Sequence, residues 1–436
     1  MADQDHRLLV AAAGILSFAA MLNTGIATAA LAETTGTAST RWALLGYQFP
    51  LIALLLTRRW GLDQGRTRCA PRCAAGGFAL CGAASAAAPS LPWLIAAQLV
   101  QSMFGAMLFA WAPVLAARSA RPHRRGHAMN VPAVLGALGA LLGPAAGTEV
   151  ARHLGRPALL LLTVPLCLVA LPITDRDTSP RRVPRLPKKT WLTQTALAGS
   201  AGTALLLALA SSPASPLWLL PAAGLVLVVM GPGHNSRRSI TSAPHAAGSA
   251  GPYTATFTLA VACAITLSLA TLYLGRGGHG SGAHLTTLWF ALALAIAGPL
   301  GNHLADRFGP HRLAVVGAGA TTLGLLLLVP LDANWSLAEI DWRIALAGLG
   351  TGLCLGPPQS LAMTTAPPQR WAAANSPIQL ARGLGLTLGP ALAATIWGTP
   401  DSDTAQMRVG LLLAAAAACV ATAQLSLCPR DTAELA

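Results

Sequence analysis

Among the polar side chains inside, or at the edge of, the long apolar runs, six are candidates to line a substrate or proton pathway: Asn23, Glu33, Gln98, Gln101, Glu149 and Arg382. The three carboxamides can hydrogen-bond a solute where water is scarce, or bond a neighbouring helix instead. Glu33 and Glu149 end their runs, where a carboxylate either exchanges protons or faces water. Arg382 is the one basic residue inside a predicted run, and it either holds an anion or snorkels to the inner surface. None of this is bond-breaking chemistry. No phosphate loop, zinc site or hydrolase triad is legible, so neither an enzyme nor a cofactor is expected. Cys69 and Cys73 stand four apart with no second pair or histidine cluster, so no metal is expected. Cys81, Cys167, Cys263, Cys354 and Cys419 lie within apolar runs as small hydrophobes.

The elements that position these groups are membrane spans. Hydrophobic residues make up 54% of the chain and charged residues 10%, too few to cover a soluble surface. Apolar runs fall at about 8–32, 42–57, 73–90, 92–117, 128–150, 157–174, 191–210, 216–231, 252–274, 285–304, 313–331, 342–365, 376–398 and 408–428. Each approaches the roughly 17–25 residues that cross a bilayer as a helix. Fourteen spans follow. Alternate gaps are basic: 58–72 carries Arg58, Arg59, Arg66, Arg68 and Arg72; 118–127 carries Arg118, Arg121, Arg124 and Arg125; 175–189 carries Arg176, Arg181, Arg182, Arg185, Lys188 and Lys189. Basic loops stay on the cytoplasmic side, so both termini are expected there. This also accounts for the net charge of +14 with anionic lipids, not nucleic acid, as partners. Proline-bearing linkers at 175–190 and 232–250 divide the chain. Residues 1–174 form an amino-terminal six-helix bundle, 175–250 the linkers and a two-helix insertion, and 251–436 a carboxy-terminal six-helix bundle. The fold class expected is an all-α integral membrane protein.

Two motifs stand out. Leu304-Ala-Asp306-Arg307-Phe-Gly309-Pro-His-Arg312 follows the tenth span. An acid at an inner helix end can pair with arginines or a helix N-terminus, Gly309 permits a tight turn, and together they can latch one of two conformations. The alternative is an ordinary basic loop. In the fifth span, Gly136, Gly139, Gly143 and Gly147 make a smooth face for close helix approach, and Pro144 favours a kink.

These residues carry a resemblance. The chain resembles the major facilitator superfamily transporters of the fourteen-helix drug:proton antiporter type. Asp306, Arg307, Gly309 and Arg312 resemble the family's loop motif. Gly139, Gly143, Pro144 and Gly147 resemble its antiporter motif. Leu94 to Ala106 resemble its fourth-helix motif, and Arg370 to Asn375 with Arg382 to Gly385 its thirteenth-helix region. The resemblance spans essentially the whole chain and implies two six-helix bundles that alternate access to a central cavity. The chain also departs from the pattern. Asn23 stands where the family commonly has Asp, Gln98 where it has an arginine linked to proton coupling, and Ser102 where it has glycine. The first-half loop motif is eroded to Trp60-Gly-Leu-Asp63-Gln-Gly-Arg66, and Asn302 lies two residues before Leu304.

The function expected is a multi-pass cell-membrane secondary transporter that exports a small apolar drug or metabolite. Protons are the partner the resemblance implies, and membrane lipids its surroundings. Two alternatives stay open: an uncoupled facilitator, and a transport-dead sensor or interaction protein.

Overall fold

The computed structural model describes residues 2–32, 69–120, 125–174, 250–276, 280–330, 335–359, 371–397 and 403–427. Eleven long helices account for nearly all of them. They are α1 (Ala2–Ala32), α2 (Cys69–Ala86), α3 (Leu91–Ser119), α4 (Arg125–Leu161), α5 (Thr163–Thr174), α6 (Ala250–Arg276), α7 (Gly280–Phe308), α8 (Pro310–Leu328), α9 (Leu337–Leu355), α10 (Trp371–Trp397) and α11 (Asp403–Ser426). Among the described residues there is no strand. Seven stretches within these helices are long and apolar enough to cross a membrane. The second, seventh and eighth expected spans, the linkers between 175 and 249, and Glu33 lie outside the described residues.

The chain divides into two compact units. One comprises 1–203 with 366–376, the other 204–365 with 377–436, so the first residues of α10 group with the first unit.

In the first unit α1 packs along α4 and also meets α3 and α5. The reason is small residues. A Cβ placed on Gly139 of α4 would lie 2.5 Å from the Phe18 carbonyl oxygen and 3.0 Å from the Leu22 nitrogen of α1. The two backbones therefore touch, and only glycine fits between them. Leu16, Phe78, Leu108, Phe109 and Cys167 fill the apolar centre of this unit from α1, α2, α3 and α5. The backbone of α4 leaves helical geometry at Gly155, with φ +78° and ψ 171°, in the gap expected between the fifth and sixth spans. A positive φ costs glycine little. The chain changes direction there without a loop, and the apolar stretch Pro157–Thr174 begins at once.

The second unit is organised around α9, which packs against both α7 and α8. Its glycines face two ways. Gly348 and Gly352 approach the backbone of α7 at Phe290 and Leu294, while Gly350 approaches α8 at Gly317 and Thr321. Gly324 of α8 returns the contact at Ala347. On the other side, Gly385 of α10 meets the Phe257 carbonyl of α6, where an added Cβ would stand 2.7 Å away. α11 packs on α6 and α8, and Thr322 and Thr422 share a 3.1 Å hydrogen bond across the second of these contacts.

Several boundaries differ from the sequence reading by about one turn, and one has a visible cause. The twelfth span was expected from residue 342, yet α9 starts at Leu337. Ser336 and Glu339 form a capping box there: the Ser336 backbone N–H donates to Glu339 Oε2 at 2.8 Å. Satisfying the orphan donors of the first turn extends the helix into residues whose polarity alone reads as loop.

Candidate functional site

The first unit holds the carboxamides. Asn23 on α1 and Gln98 and Gln101 on α3 are all buried. Both amide atoms of Asn23, both of Gln101 and Oε1 of Gln98 have no hydrogen-bond partner. A buried amide left unmatched typically costs about 1–3 kcal/mol per group, so such groups call for a partner. Asn23 follows Leu22 on α1 and Gln98 lies four residues after Leu94 on α3, and both leucines belong to one apolar cluster. Leu22 and Ile26 of α1, Leu94 of α3 and Leu159 and Leu160 at the end of α4 pack together, with Leu94 one turn before Gln98. Gln101 lies elsewhere on α3, against α2. A Cβ on Gly82 would stand 3.2 Å from its Nε2 and equally close to Val164 of α5. Ser102, which replaces the family's glycine, is fully buried and returns its hydroxyl proton to the Leu99 carbonyl at 2.7 Å.

Gly143 and Gly147 are buried along α4, and Glu149 follows two residues later on the same helix, ahead of the turn at Gly155.

The second unit holds the buried charge. Arg382 sits on α10 with 7% of its surface exposed. Its Nη1 donates to Gln379 Oε1 at 3.2 Å, and its Nη2 donates to the Leu355 carbonyl at 3.2 Å. Leu355 ends α9, just before Gly356, Pro357 and Pro358. A helix C-terminus carries partial negative charge on its unmatched carbonyls, and a guanidinium complements it. Arg382 thus stays inside its unit and binds a helix end. Gln359, four residues beyond Leu355, is fully buried, and neither of its amide atoms has a partner.

A chain of small polar groups joins three helices of this unit. Cys263 Sγ of α6 lies 3.3 Å from Thr351 Oγ1 of α9. That hydroxyl lies 3.3 Å from Thr321 Oγ1 of α8, and it donates to the Ala347 carbonyl at 2.8 Å. The sequence reading passed over these residues, because a lone threonine in an apolar run has no distinctive spacing. It also passed over Asp341, which accepts a 2.7 Å hydrogen bond from Thr286 of α7. The sign was present in Ser336 and Glu339, whose capping box puts Asp341 in the second turn of α9.

The loop motif after the tenth run is a helix–glycine–helix corner. Asp306 and Arg307 belong to the last turn of α7, and α8 begins at Pro310. Gly309 between them has φ +86°, and its N–H donates to the Ala305 carbonyl at 2.9 Å. The turn expected of Gly309 is therefore formed. Arg307 and Arg312 are exposed, and His303 is exposed as well. Among the described residues no cluster of three or more His, Cys, Asp or Glu side chains is placed to hold a metal ion.

Known proteins supply the remaining context. A sequence model of the Major Facilitator Superfamily matches residues 253–434, the span of α6 to α11. Uncharacterized transporter YebQ of Escherichia coli (strain K12) is 28% identical over 404 residues, 88% of this chain and 86% of that protein. Multidrug resistance protein B homolog of Mycobacterium tuberculosis (strain ATCC 25618 / H37Rv) is 26% identical over 375 residues, 81% of this chain and 68% of that one. The crystal structure of the human organic anion transporter MFSD10 (TETRAN) superimposes with a TM-score of 0.64 over 96% of this chain and 99% of that chain. Its sequence identity is 16%, so that likeness speaks to fold alone. Helical units, apolar spans and matches across most of the chain agree on a multi-pass membrane protein with the Major Facilitator Superfamily fold, similar to that family's transporters and matching its sequence model over residues 253–434.

Proposed function

We propose that the protein exports a small, largely apolar organic compound across the cell membrane by alternating access. The observation that carries this reading is Asn23 on α1 and Gln98 on α3, both buried, with amide atoms that no group among the described residues satisfies. A solute with hydrogen-bonding groups on an apolar body supplies the missing partners, and the apolar cluster around Leu22, Leu94 and Leu159 suits the rest of it. The likeness to a multidrug resistance protein supports the same substrate class.

The proposal includes fourteen helices in a six–two–six plan with cytoplasmic termini, the charged corner at Asp306–Arg312 as the latch, and the glycine series of α4 as the antiporter element. Proton antiport is the coupling proposed, with Glu149 as the carrier ranked ahead of Glu33. An uncoupled facilitator is the second reading. It is favoured by the absence of any carboxylate among the described buried side chains.

Proteoliposomes test both. Hydrophobic dyes and antibiotics would be loaded and efflux followed with and without a pH gradient. Efflux driven by the gradient supports antiport, and efflux indifferent to it supports the facilitator. Absence of flux for every compound, from protein shown to be folded and inserted, would overturn transport and leave the sensor reading.

A further inference from the structure

Buried permanent charge is scarce among the described residues. Among the described residues, the buried side chains include Arg382 and no carboxylate. The two acceptors bonded to Arg382 are both neutral, the Gln379 amide oxygen and the Leu355 carbonyl. A guanidinium carries five N–H donors in a rigid fork, so these two bonds leave it under-used. The local geometry explains why α9 has room for it. Gln359 turns its backbone N–H onto the Gly356 carbonyl at 3.0 Å, closing a tight turn, while the Leu355 carbonyl one residue earlier receives Arg382. Beyond that turn the Gln359 side chain is fully buried with two donors and two lone pairs unmatched. Gln379 and Arg382 are three residues apart on α10, on one face of the helix. The unpartnered Gln359 amide thus lies four residues beyond the carbonyl that the buried Arg382 holds, in the same unit.

We infer that Arg382, Gln379 and Gln359 bind the acidic group of the transported compound, so that the substrate is an amphiphilic organic acid and not a lipophilic cation. This rests on the transport reading above and names the substrate class within it. A carboxylate presents two acceptor oxygens in a plane that matches the guanidinium fork, and the Gln359 amide adds a further N–H. The same arrangement rejects cations. A positive group meets Arg382 as a like charge, and among the described residues no buried carboxylate compensates it.

Three tritiated probes of one shape test the site: 1-naphthoate, 1-naphthalenemethanol and 1-naphthylmethylammonium. Binding to the purified full-length protein is measured by scintillation proximity at pH 7. Wild type is expected to bind naphthoate about tenfold or more tighter than the ammonium probe, the scale of one charge-assisted hydrogen bond. Arg382→Gln should erase that preference and leave the alcohol unchanged. Gln359→Leu, which leaves the charge in place, should weaken naphthoate severalfold and also spare the alcohol. This second variant decides the matter if Arg382→Gln fails to fold. Equal affinity of wild type for the three probes would overturn the proposal. So would an equal loss of all three in Arg382→Gln, which is what a helix cap alone predicts. Naphthoate flux from proteoliposomes is a separate reading: binding selectivity decides the site and flux decides transport, so either can fail alone.

Discussion

Thr286 on α7 donates a 2.7 Å hydrogen bond to the Asp341 carboxylate on α9. Thr286 is buried and Asp341 partly so, and the bond ties together the same ends of two helices that approach each other closely at Gly348 and Gly352. A hydrogen bond to a charged acceptor is worth about 1.5–3 kcal/mol. Asp341→Ala should therefore lower the thermal unfolding temperature of the purified protein by a few degrees. Asp341→Asn, which keeps an acceptor oxygen, should recover most of that loss. Equal melting of all three proteins would show that the bond contributes nothing.

Coupling is expected to sit on Glu149. It lies on α4, two residues after Gly147 and six before the turn at Gly155, on the helix whose glycines resemble the antiporter motif. Glu149→Gln should abolish the dependence of efflux on a pH gradient while downhill exchange persists. Gradient-driven efflux that survives this substitution would move the proton site to Glu33 or to a histidine.

Gly139→Leu should damage the first unit, and Gly385→Leu the second. Each new side chain meets backbone, which cannot swing aside, and overpacking costs about 1–3 kcal/mol or more. Gly76 is the control, because a Cβ there meets nothing within 4 Å. Size-exclusion profiles of fluorescent fusions should show loss of the monodisperse peak for the first two and not for Gly76→Leu. Monodisperse Gly139→Leu protein with normal transport would refute the backbone contact with Phe18.

Asp306→Asn should slow the exchange between inward-open and outward-open states while leaving insertion intact. The acid ends α7 one glycine turn from the start of α8, where a carboxylate can pair in one state and separate in the other. Unaltered transport rates in a well-expressed variant would remove the latch role.

Orientation is open to labelling. In a cysteine-free background, an impermeant maleimide applied outside intact cells should miss a cysteine at Ser179 and reach one at Gly280. The reverse pattern would invert the topology and with it the assignment of the basic loops to the cytoplasm.

The helices were legible because a chain with few charges and long apolar runs leaves little else to form. Their ends were less so. α9 begins five residues earlier than polarity indicates, since Ser336 and Glu339 satisfy its first turn. The fifth and sixth expected spans run on as one helix, α4, divided only at Gly155, in the gap read between residues 150 and 157, where a positive φ turns the chain. In the site, the burial and bonding of Arg382 could not be decided from its sequence position, because snorkelling and binding need the same residue in the same run. The contact with Leu355 decides its protein partner. Thr321, Thr351 and Cys263 were invisible for a different reason: their relation is spatial, across three helices, and nothing in their separate neighbourhoods encodes it.

The alternating glycines of α9 bear on how this sequence can drift. Phe290 and Leu294 of α7 close over Gly348 and Gly352, and Thr321 of α8 closes over Gly350. Between them Leu349 stays 40% exposed. In a saturation library across 347–352, tolerated variants should therefore collect at Leu349 and be depleted at its glycine neighbours. This stretch of helix has one position free to vary and several that cannot.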